Sequence, residues 1–446
     1  AAGQEYEAKS FSELATSTTA RNLIFVFFTT EFAKLSASSK ASKQGAKPIQ
    51  TVGIIGGGVM GTAIASWAAI KGFKVIVKAA NPERTGLMHE TVKTDVIRID
   101  AKHAENISSA SEYEDLADVD LLIEACSENI GIKIDLLSKI LPLLKPDAIV
   151  ATNTSSLSVN ELVEKLNSTH DFFGVHFFHP VDRMPLVEVI PAGNAQRESQ
   201  AKILSFLSVL EKTPLIVKDS TCFVVNRLLC TYINEAARLA EADVPLNWID
   251  DSPVDFGMPI GPWTVVDEVG MDVALLVADS LEEKIGERFT KPEVLKGVKA
   301  LGISGKRSGK GIYQRDESGK VLGLQPELLE VLKLKVSTEK VSPEEAERLN
   351  ERMFYPMIDE AARCLSEKVV RRPREIDMAT VLGMGFPPFR GGLLKYADSI
   401  GIPKIIEKLE EIYREPGPAR DVSDYLKQMA ATGRSFYSSG KDAGDA

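Results

Sequence analysis

The stretch TVGIIGGGVMGTAIASWAA, residues 51–69, decides the fold of this chain. Its first five residues, Thr51–Ile55, are mainly aliphatic and β-branched, and it ends in an alanine-rich run with helical spacing. Between them Gly56, Gly58 and Gly61 form a G-x-G-x-x-G motif. The first glycine permits a tight turn, the second lets backbone N–H groups approach a pyrophosphate, and the third allows a helix to pack closely on a strand. The stretch therefore predicts a strand, turn and helix that bind a dinucleotide.

Further apolar runs continue this pattern along the chain. They are Lys74–Lys78, Val119–Glu124 and Ala148–Thr152, with stretches between them that are long enough for helices. Strands that alternate with helices predict a parallel, doubly wound α/β sheet of the Rossmann type. We assign this predicted domain to residues 51–218.

One part of the dinucleotide fingerprint is missing. An acidic residue is expected about 20 residues after the glycines, where it accepts the ribose hydroxyls of NAD. The chain instead reads Lys78-Ala79-Ala80-Asn81, and its next carboxylate is Glu83. Three interpretations stay open: weaker binding of NAD, a shifted partner such as Asn81 or Glu83, or a preference for NADP through Lys78 and Arg84.

The segment GVHFFHPVDRMPLVEVI, residues 174–190, contains a candidate acid/base pair. His176 lies in an apolar setting, and Glu188 follows twelve residues later. An imidazole can take a proton from an alcohol near neutral pH, and a carboxylate partner would hold its tautomer and stabilise the imidazolium. The alternative is a buried histidine with an ordinary structural role and a glutamate that faces solvent.

These motifs, with several others in order, resemble one enzyme family. They are GGGVMG (56–61), EACSENIGIK (124–133), NTSSL (153–157), HFFHP (176–180), LVEVIP (186–191), VVNRLL (224–229), FGMPIGP (256–262) and GKRSGKGIY (305–313). The chain resembles the L-3-hydroxyacyl-CoA dehydrogenases, in the form found in bifunctional enoyl-CoA hydratase/3-hydroxyacyl-CoA dehydrogenases of fatty-acid β-oxidation. The resemblance covers about residues 3–437.

The resemblance implies roles for particular residues. His176 would be the catalytic base and Glu188 its partner, while Ser155 and Asn226 would hold the substrate's oxygen and thioester. The implied NAD contacts are Gly56, Gly58, Met60, Gly61, Glu128, Lys133, Ser155 and His179. The residues alone also allow Ser155 and Asn226 to be helix caps.

The implied reaction is oxidation of an (S)-3-hydroxyacyl-CoA to the 3-ketoacyl-CoA, with hydride transfer to NAD and no metal. Two departures from the family pattern bear on it. His179 stands where a small polar residue is usual, three residues from the implied base. Cys222 replaces a glycine that usually precedes the helix containing the substrate-holding asparagine, here Asn226. Together with Ala79 they keep open a catalytically weak CoA-ester binding module. A second rival class is a related NAD(P)-dependent hydroxy-acid dehydrogenase of similar architecture.

The C-terminal half contains an internal repeat. The segment RLLCTYINEAARL, residues 227–239, aligns with RMFYPMIDEAARC, residues 352–364, and Asn226 corresponds to Glu351. We therefore expect a duplicated all-α region, with copy 1 at 219–330 and copy 2 at 331–446. The second copy would be structural, and the chain would be a monomer with an internal pseudo-twofold axis.

The first 50 residues form a separate segment. A helical apolar pattern over Phe11–Leu35 is followed by a Ser-, Lys- and Ala-rich stretch, residues 36–50, that is typical of a flexible linker. The segment resembles the helix that connects hydratase and dehydrogenase in the bifunctional enzymes. We expect a truncated or processed chain that lacks an N-terminal enoyl-CoA hydratase, and a thiolase is a further candidate partner.

Composition limits the remaining possibilities. The formal net charge of −10 over 446 residues argues against a nucleic-acid partner. The four cysteines have no metal-ligand spacing, and no apolar run reaches the roughly 18 residues of a membrane span. We expect a cytoplasmic protein, or a peroxisomal one in a eukaryote, although the carboxyl end KDAGDA (441–446) carries no peroxisomal tripeptide.

Overall fold

The structure is a computed structural model that describes residues 2–43 and 47–437, and the chain divides into two compact units. One unit runs from Phe28 to Phe223, and the other combines the segment ending at Phe27 with the chain from Val224 onward. Two N-terminal helices are present, α1 (Ala2–Ala15) and α2 (Thr18–Lys43). The predicted linker is thus helical as far as Lys43, and residues 44–46 of it lie outside the described part, as does the carboxyl end 441–446.

The unit 28–223 is built on an eight-stranded sheet with the order β3-β2-β1-β4-β5-β6-β7-β8. The strands are β1 (Thr51–Ile55), β2 (Lys74–Lys78), β3 (Ile107–Ser109), β4 (Leu121–Glu124), β5 (Ile149–Thr152), β6 (Phe172–Phe177), β7 (Leu186–Pro191) and β8 (Thr213–Ile216). The four strands predicted from apolar runs are present, and all of β4, β5 and β6 is buried. Strands buried on both faces explain these continuous apolar runs.

The sheet departs from a wholly parallel one at its far edge. Strands β1 to β6 pair in parallel, but β7 pairs antiparallel with β6 and parallel with β8. The last two strands therefore run opposite to the other six. The reversal follows from the short connection between Phe177 and Leu186, which is too short for the helical crossover that a parallel pair needs.

Helices connect the strands of this unit. They are α3 (Val59–Ile70), α4 (Pro82–Asp100), α5 (Ile130–Ile140), α6 (Val159–Leu166) and α7 (Arg197–Val209). Buried aliphatic side chains of β1, β2 and α3 belong to one core that also contains Phe173, Val175 and Phe177 of β6. This core holds the glycine turn after β1 and the histidine strand β6 in one rigid framework.

The second unit is mainly helical after Val224. Its helices are α8 (Val225–Glu241), α9 (Leu246–Phe256), α10 (Pro262–Val269), α11 (Met271–Ile285), α12 (Glu293–Ala300), α13 (Pro326–Glu330), α14 (Pro343–Ser366), α15 (Pro373–Met384), α16 (Leu393–Ile400), α17 (Ile402–Arg414) and α18 (Asp424–Ala431). Two short antiparallel strands, β9 (Tyr313–Arg315) and β10 (Val321–Leu324), lie between α12 and α13. Helices α8 and α14 make a close pair, and the aromatic rings of Tyr232 and Phe354 stack across it.

Two buried carboxylates, in α9 and α10, hold the part of the helical unit between α9 and β9 together. Asp250 accepts hydrogen bonds from the backbone N–H of Trp263 and from the hydroxyl of Tyr313, while Asp267 accepts from the backbone N–H groups of Ile312 and Tyr313. Burial raises the pKa of Asp250 to about 6. The two carboxylates accept from N–H groups at the start of α10 and at the start of β9. The first N–H groups of a helix have no partner within the helix, so Asp250 satisfies one of them.

Two carboxylates in α15 and α16 have the same kinds of partner as Asp250 and Asp267, namely backbone N–H groups and a tyrosine hydroxyl. Asp377 accepts from the backbone N–H of Leu394 and from the hydroxyl of Tyr437, and Asp398 accepts from the backbone N–H groups of Phe436 and Tyr437. Burial raises the pKa of Asp377 to about 7. The start of α16 is therefore held by a carboxylate as the start of α10 is.

Across residues 2–43 and 47–437, every helix is too short or too polar to pass through a bilayer.

Candidate active site

The glycine turn between β1 and α3 has the geometry of a dinucleotide site. Gly56 has φ of +125°, and a Cβ atom there would collide with the backbone of Ala125. A Cβ atom on Gly61 would collide with the carbonyl oxygen of Gly56, so the helix packs directly on the turn. Around Gly58, by contrast, no atom lies within 4 Å of the position that a Cβ atom would take. The turn thus leaves open space at the N-terminus of α3, where a pyrophosphate fits.

Met60, another predicted cofactor contact, is the second residue of α3. Its side chain is partly buried and packs against the core of the sheet. A direct contact of Met60 with the cofactor stays a prediction.

The chain after β2 carries no carboxylate at the edge of the turn. Lys78 is buried, and its ammonium group donates to the carbonyl of Ser111 at 2.6 Å and lies over the ring of Tyr113. Asn81 caps α4, because its side-chain oxygen accepts from a backbone N–H in the first turn. Ala79 is buried beside the glycine turn. Asn81, one of the two shifted partners considered for the missing acid, and Lys78, one of the two cations considered for NADP, are therefore engaged locally.

A buried ion pair lies at the end of β4. The Nζ atom of Lys133 lies 2.8 Å and 2.7 Å from the two carboxylate oxygens of Glu124, and both side chains are fully buried. The hydroxyl of Thr152 donates a hydrogen bond to the same carboxylate. The role of Lys133 as a cofactor contact stays a prediction, and its visible role is to neutralise Glu124. Sequence reasoning missed Glu124, although an acid at the last residue of an otherwise apolar strand was the signal.

Glu128 organises the loop that contains Ser155. One of its oxygens accepts four hydrogen bonds, from the hydroxyls of Thr154 and Ser156 and from the backbone N–H groups of Ser155 and Ser156, all between 2.7 and 3.0 Å. The cap of the next helix, α6, is Ser158, whose side chain accepts from a backbone N–H in its first turn. Ser155 is therefore not the N-cap that the alternative interpretation required.

His176 and Glu188 form the pair that the sequence suggested. They lie directly opposite each other on the antiparallel strands β6 and β7, and Nδ1 of the ring is 2.7 Å from the carboxylate. His176 is 4% exposed, Glu188 is fully buried, and the rings of Phe178 and Phe223 lie beside the imidazole. A carboxylate on Nδ1 holds the tautomer that carries its proton there, so Nε2 has a free lone pair for a proton. The alternative with a solvent-facing Glu188 is wrong.

Each of the two departures from the family pattern is next in sequence to a residue whose ring lies beside the imidazole, Phe178 or Phe223. His179 is exposed, two residues after the end of β6. Cys222 is buried with φ of +59°, and Phe223 next to it has φ of +57°. Left-handed backbone is unfavourable for residues with side chains, which explains why a glycine suits position 222.

Asn226 belongs to the other unit. It is the second residue of α8, whose N-cap is Val224, and it lines an apolar cavity of about 40 Å³. The cavity also has the side chains of Leu229, Ile233 and Val277 in its wall. Asn226 therefore does not stand at the N-cap, and it lines this mostly apolar cavity together with a second amide residue, Asn234.

Within residues 2–43 and 47–437, no group of three or more His, Cys, Asp or Glu side chains could hold a metal ion. The Cys126 thiol, which is close to the glycine turn, is mostly buried, and burial raises its pKa to about 12. The thiol is thus protonated and unreactive at neutral pH.

Family models match most of the chain. The NAD-binding domain of 3-hydroxyacyl-CoA dehydrogenase matches residues 51–220, and the C-terminal domain of the same family matches residues 223–315 and 349–445. The first match starts at the strand that was predicted to open the dinucleotide domain, and it confirms NAD as the cofactor of that domain. The boundary between the two models falls at Phe223, where the compact units also separate.

Named relatives agree with this assignment. The fatty acid oxidation complex subunit alpha of Vibrio vulnificus is 35% identical over 98% of this chain, and this chain spans 62% of its length. The crystal structure of (S)-3-hydroxybutyryl-CoA dehydrogenase PaaH1 from Ralstonia eutropha is 32% identical, with a TM-score of 0.57 over 60% of this chain and 100% of that one. A 3-hydroxybutyryl-CoA dehydrogenase from Escherichia coli K12 shares the fold, with a TM-score of 0.70 at 24% identity over 86% of this chain and 99% of that one. The chain therefore belongs to the 3-hydroxyacyl-CoA dehydrogenase family.

Proposed function

We propose that this chain oxidises an (S)-3-hydroxyacyl-CoA to the 3-ketoacyl-CoA in fatty-acid β-oxidation, with His176 as the base. The observation that carries the proposal is the buried hydrogen bond between Nδ1 of His176 and Glu188. A base held in one tautomer by a buried carboxylate suits removal of a proton from an alcohol. The NAD held at the glycine turn would supply the acceptor for the hydride of C3.

The proton path follows from the geometry of the pair. Nε2 of His176 takes the hydroxyl proton, and the positive charge that then develops on the ring is stabilised by Glu188 at 2.7 Å. Phe178 and Phe223 shield the ring from water, which strengthens this interaction. The glycine turn fits the pyrophosphate of NAD, since the space beside Gly58 is open.

Ser155 and Asn226 are the proposed substrate-holding residues. Glu128 fixes the backbone of Ser155 through a 2.7 Å hydrogen bond, so the position of this serine is held by the fold. The hydroxyl of a serine whose backbone is fixed in this way can donate a hydrogen bond to the developing carbonyl without reorganisation of the loop. Asn226 lines the small apolar cavity of the helical unit, which supports a role beside an acyl chain.

We also propose that the helical region is a duplication in which only copy 1 serves catalysis. Two separate matches to one domain model support the duplication, and so do the paired carboxylates Asp250 and Asp377 with their tyrosine partners. In copy 2 the residue that corresponds to Asn226 is Glu351, which accepts a hydrogen bond from the hydroxyl of Tyr355. The second copy would then replace a partner subunit, and a single monomer peak in sedimentation velocity is the expected result. A stable dimer would contradict this.

A longer source protein is a further proposal. The chain spans 62% of the length of the Vibrio relative, which is named as a subunit of a fatty acid oxidation complex. This supports an enoyl-CoA hydratase part N-terminal to residue 1 and a thiolase as partner, in the cytoplasm or, in a eukaryote, the peroxisome. Intact mass of the protein purified from its source tests the idea, because a mass equal to that of this chain would remove it.

The test of the main proposal is NADH formation from (S)-3-hydroxybutyryl-CoA, with free 3-hydroxybutyrate in parallel. Turnover of the thioester that His176→Ala abolishes is the expected result, and His103→Ala, at a partly exposed histidine of the same unit, is the control. Binding of the thioester without turnover would favour the silent CoA-ester module. Equal turnover of the free acid would favour a hydroxy-acid dehydrogenase.

A further inference from the structure

The edge of the cofactor site beside β2 differs from the pattern expected of a dehydrogenase that uses NAD alone. In a Rossmann domain, an acid at the end of the second strand accepts the ribose hydroxyls of NAD, and the same negative charge repels the 2′-phosphate of NADP. Ala79 occupies this position, directly after the last residue of β2. The side chain that normally makes the distinction is therefore a methyl group.

Ala79 and Arg84 flank the same glycine. A Cβ atom on Gly57, inside the fingerprint, would lie 3.0 Å from Cβ of Ala79 and 3.8 Å from the carbonyl oxygen of Arg84. Ala79 is thus at the wall of the cofactor turn, and the first turn of α4 comes next to it. This places position 79 where the ribose of the adenosine half would be recognised.

The cations near this edge are not equivalent. Lys78 is buried and donates to the carbonyl of Ser111, which takes its ammonium group out of the ribose site. Arg84 is exposed on the first turn of α4, and its guanidinium takes part in no ion pair within the described chain. A guanidinium is well suited to bind a phosphate in a bidentate manner.

We infer that this chain binds NADP as well as NAD, because Ala79 removes the acid that discriminates between them and Arg84 takes the 2′-phosphate. The inference rests on the proposed function, since it concerns the cofactor of that reaction. Loss of one charged hydrogen bond to the ribose lowers the affinity for NAD about 10- to 100-fold. NADP lacks the same hydrogen bond to the ribose, but its contact with Arg84 through the 2′-phosphate raises the affinity by a similar factor.

The experiment is titration of the chain with NADH and with NADPH, followed by nicotinamide fluorescence at fixed ionic strength. Dissociation constants within about ten-fold of each other are expected for the wild type. A preference for NADH of more than about 100-fold would overturn the inference while leaving the proposed function standing. Failure of both cofactors to bind would overturn the proposed function and this inference with it.

Two variants test the residues themselves. Ala79→Asp is expected to tighten NADH binding and weaken NADPH binding, each by about ten-fold or more, while Ala80→Asp, with the same charge on the exposed neighbour, changes both much less. Arg84→Gln is expected to weaken NADPH alone by about ten-fold, with Arg98→Gln at the far end of α4 as its control. An unchanged NADPH affinity in Arg84→Gln, or equal effects of the two aspartates, would overturn the assignment.

Discussion

Replacement of Glu188 by glutamine tests whether the buried carboxylate stabilises a charge that forms on His176 during the reaction. Glutamine keeps the size of the side chain and its ability to hydrogen-bond Nδ1, but it removes the negative charge. In the structure Nδ1 and the carboxylate are 2.7 Å apart, with exposures of 5% for the histidine side chain and 0% for the glutamate side chain. The ion pair that forms when His176 takes a proton is therefore largely shielded from solvent.

The size of the effect follows from this geometry. Two unit charges whose centres are about 4 Å apart interact by about 4 kcal/mol at an effective dielectric constant of about 20. A neutral hydrogen bond to glutamine restores about 1 kcal/mol of this. The remaining 3 kcal/mol or so corresponds to a fall in kcat of about 100-fold. NADH affinity is expected to stay the same, because Glu188 does not lie at the glycine turn.

The assay is steady-state oxidation of (S)-3-hydroxybutyryl-CoA at saturating NAD, with NADH affinity measured separately by fluorescence. Glu164→Gln, at an exposed position on α6 of the same unit, is the matched control. Equal melting temperatures for the two variants would show that the fold is intact. If Glu188→Gln kept more than a third of the wild-type kcat, the pair would not stabilise a charged intermediate and the reasoning would be refuted.

Three further predictions concern stability and cofactor binding. Gly61→Ala should abolish NADH binding, because a methyl group there collides with the glycine turn. Its control is Gly86→Ala in α4, where the space around the glycine is open; this variant should bind NADH normally and gain about 0.5–1 kcal/mol in stability. Normal NADH binding by both variants would contradict the packing argument. Lys133→Met should cost about 3–5 kcal/mol in urea unfolding because it leaves a buried carboxylate uncompensated, and adding Glu124→Gln should recover most of that loss. No recovery in the double variant would show that Lys133 acts otherwise. Asp377 has a pKa raised by burial from 3.8 to about 7, so the folded state holds its proton longer than the unfolded state does, and stability should fall by about 4 kcal/mol as pH rises from about 4 to 7. Asp377→Asn should show a flatter dependence on pH in urea unfolding over this range, and an unchanged slope would count against a protonated carboxyl.

Local patterns in the sequence determined the first half of the fold. The strand Thr51–Ile55, the three glycines and the alanine-rich helix are recognisable because each depends on neighbouring residues alone. The strands Lys74–Lys78, Leu121–Glu124 and Ile149–Thr152 were predicted within two residues for the same reason. His176 and Glu188 were also candidates from the sequence, since few residue types perform acid/base chemistry.

Only the tertiary structure decided how these residues meet. The residues of β7 (186–191) do not by themselves indicate that this strand is antiparallel to β6, yet the antiparallel direction places Glu188 opposite His176. The hydrogen bond from Thr152 to Glu124 and the four donors on Glu128 likewise join segments that are more than 25 residues apart along the chain, and burial makes them strong. The sequence alone therefore determined which chemistry is available, whereas long-range packing determined which groups are buried together and at what distance they act.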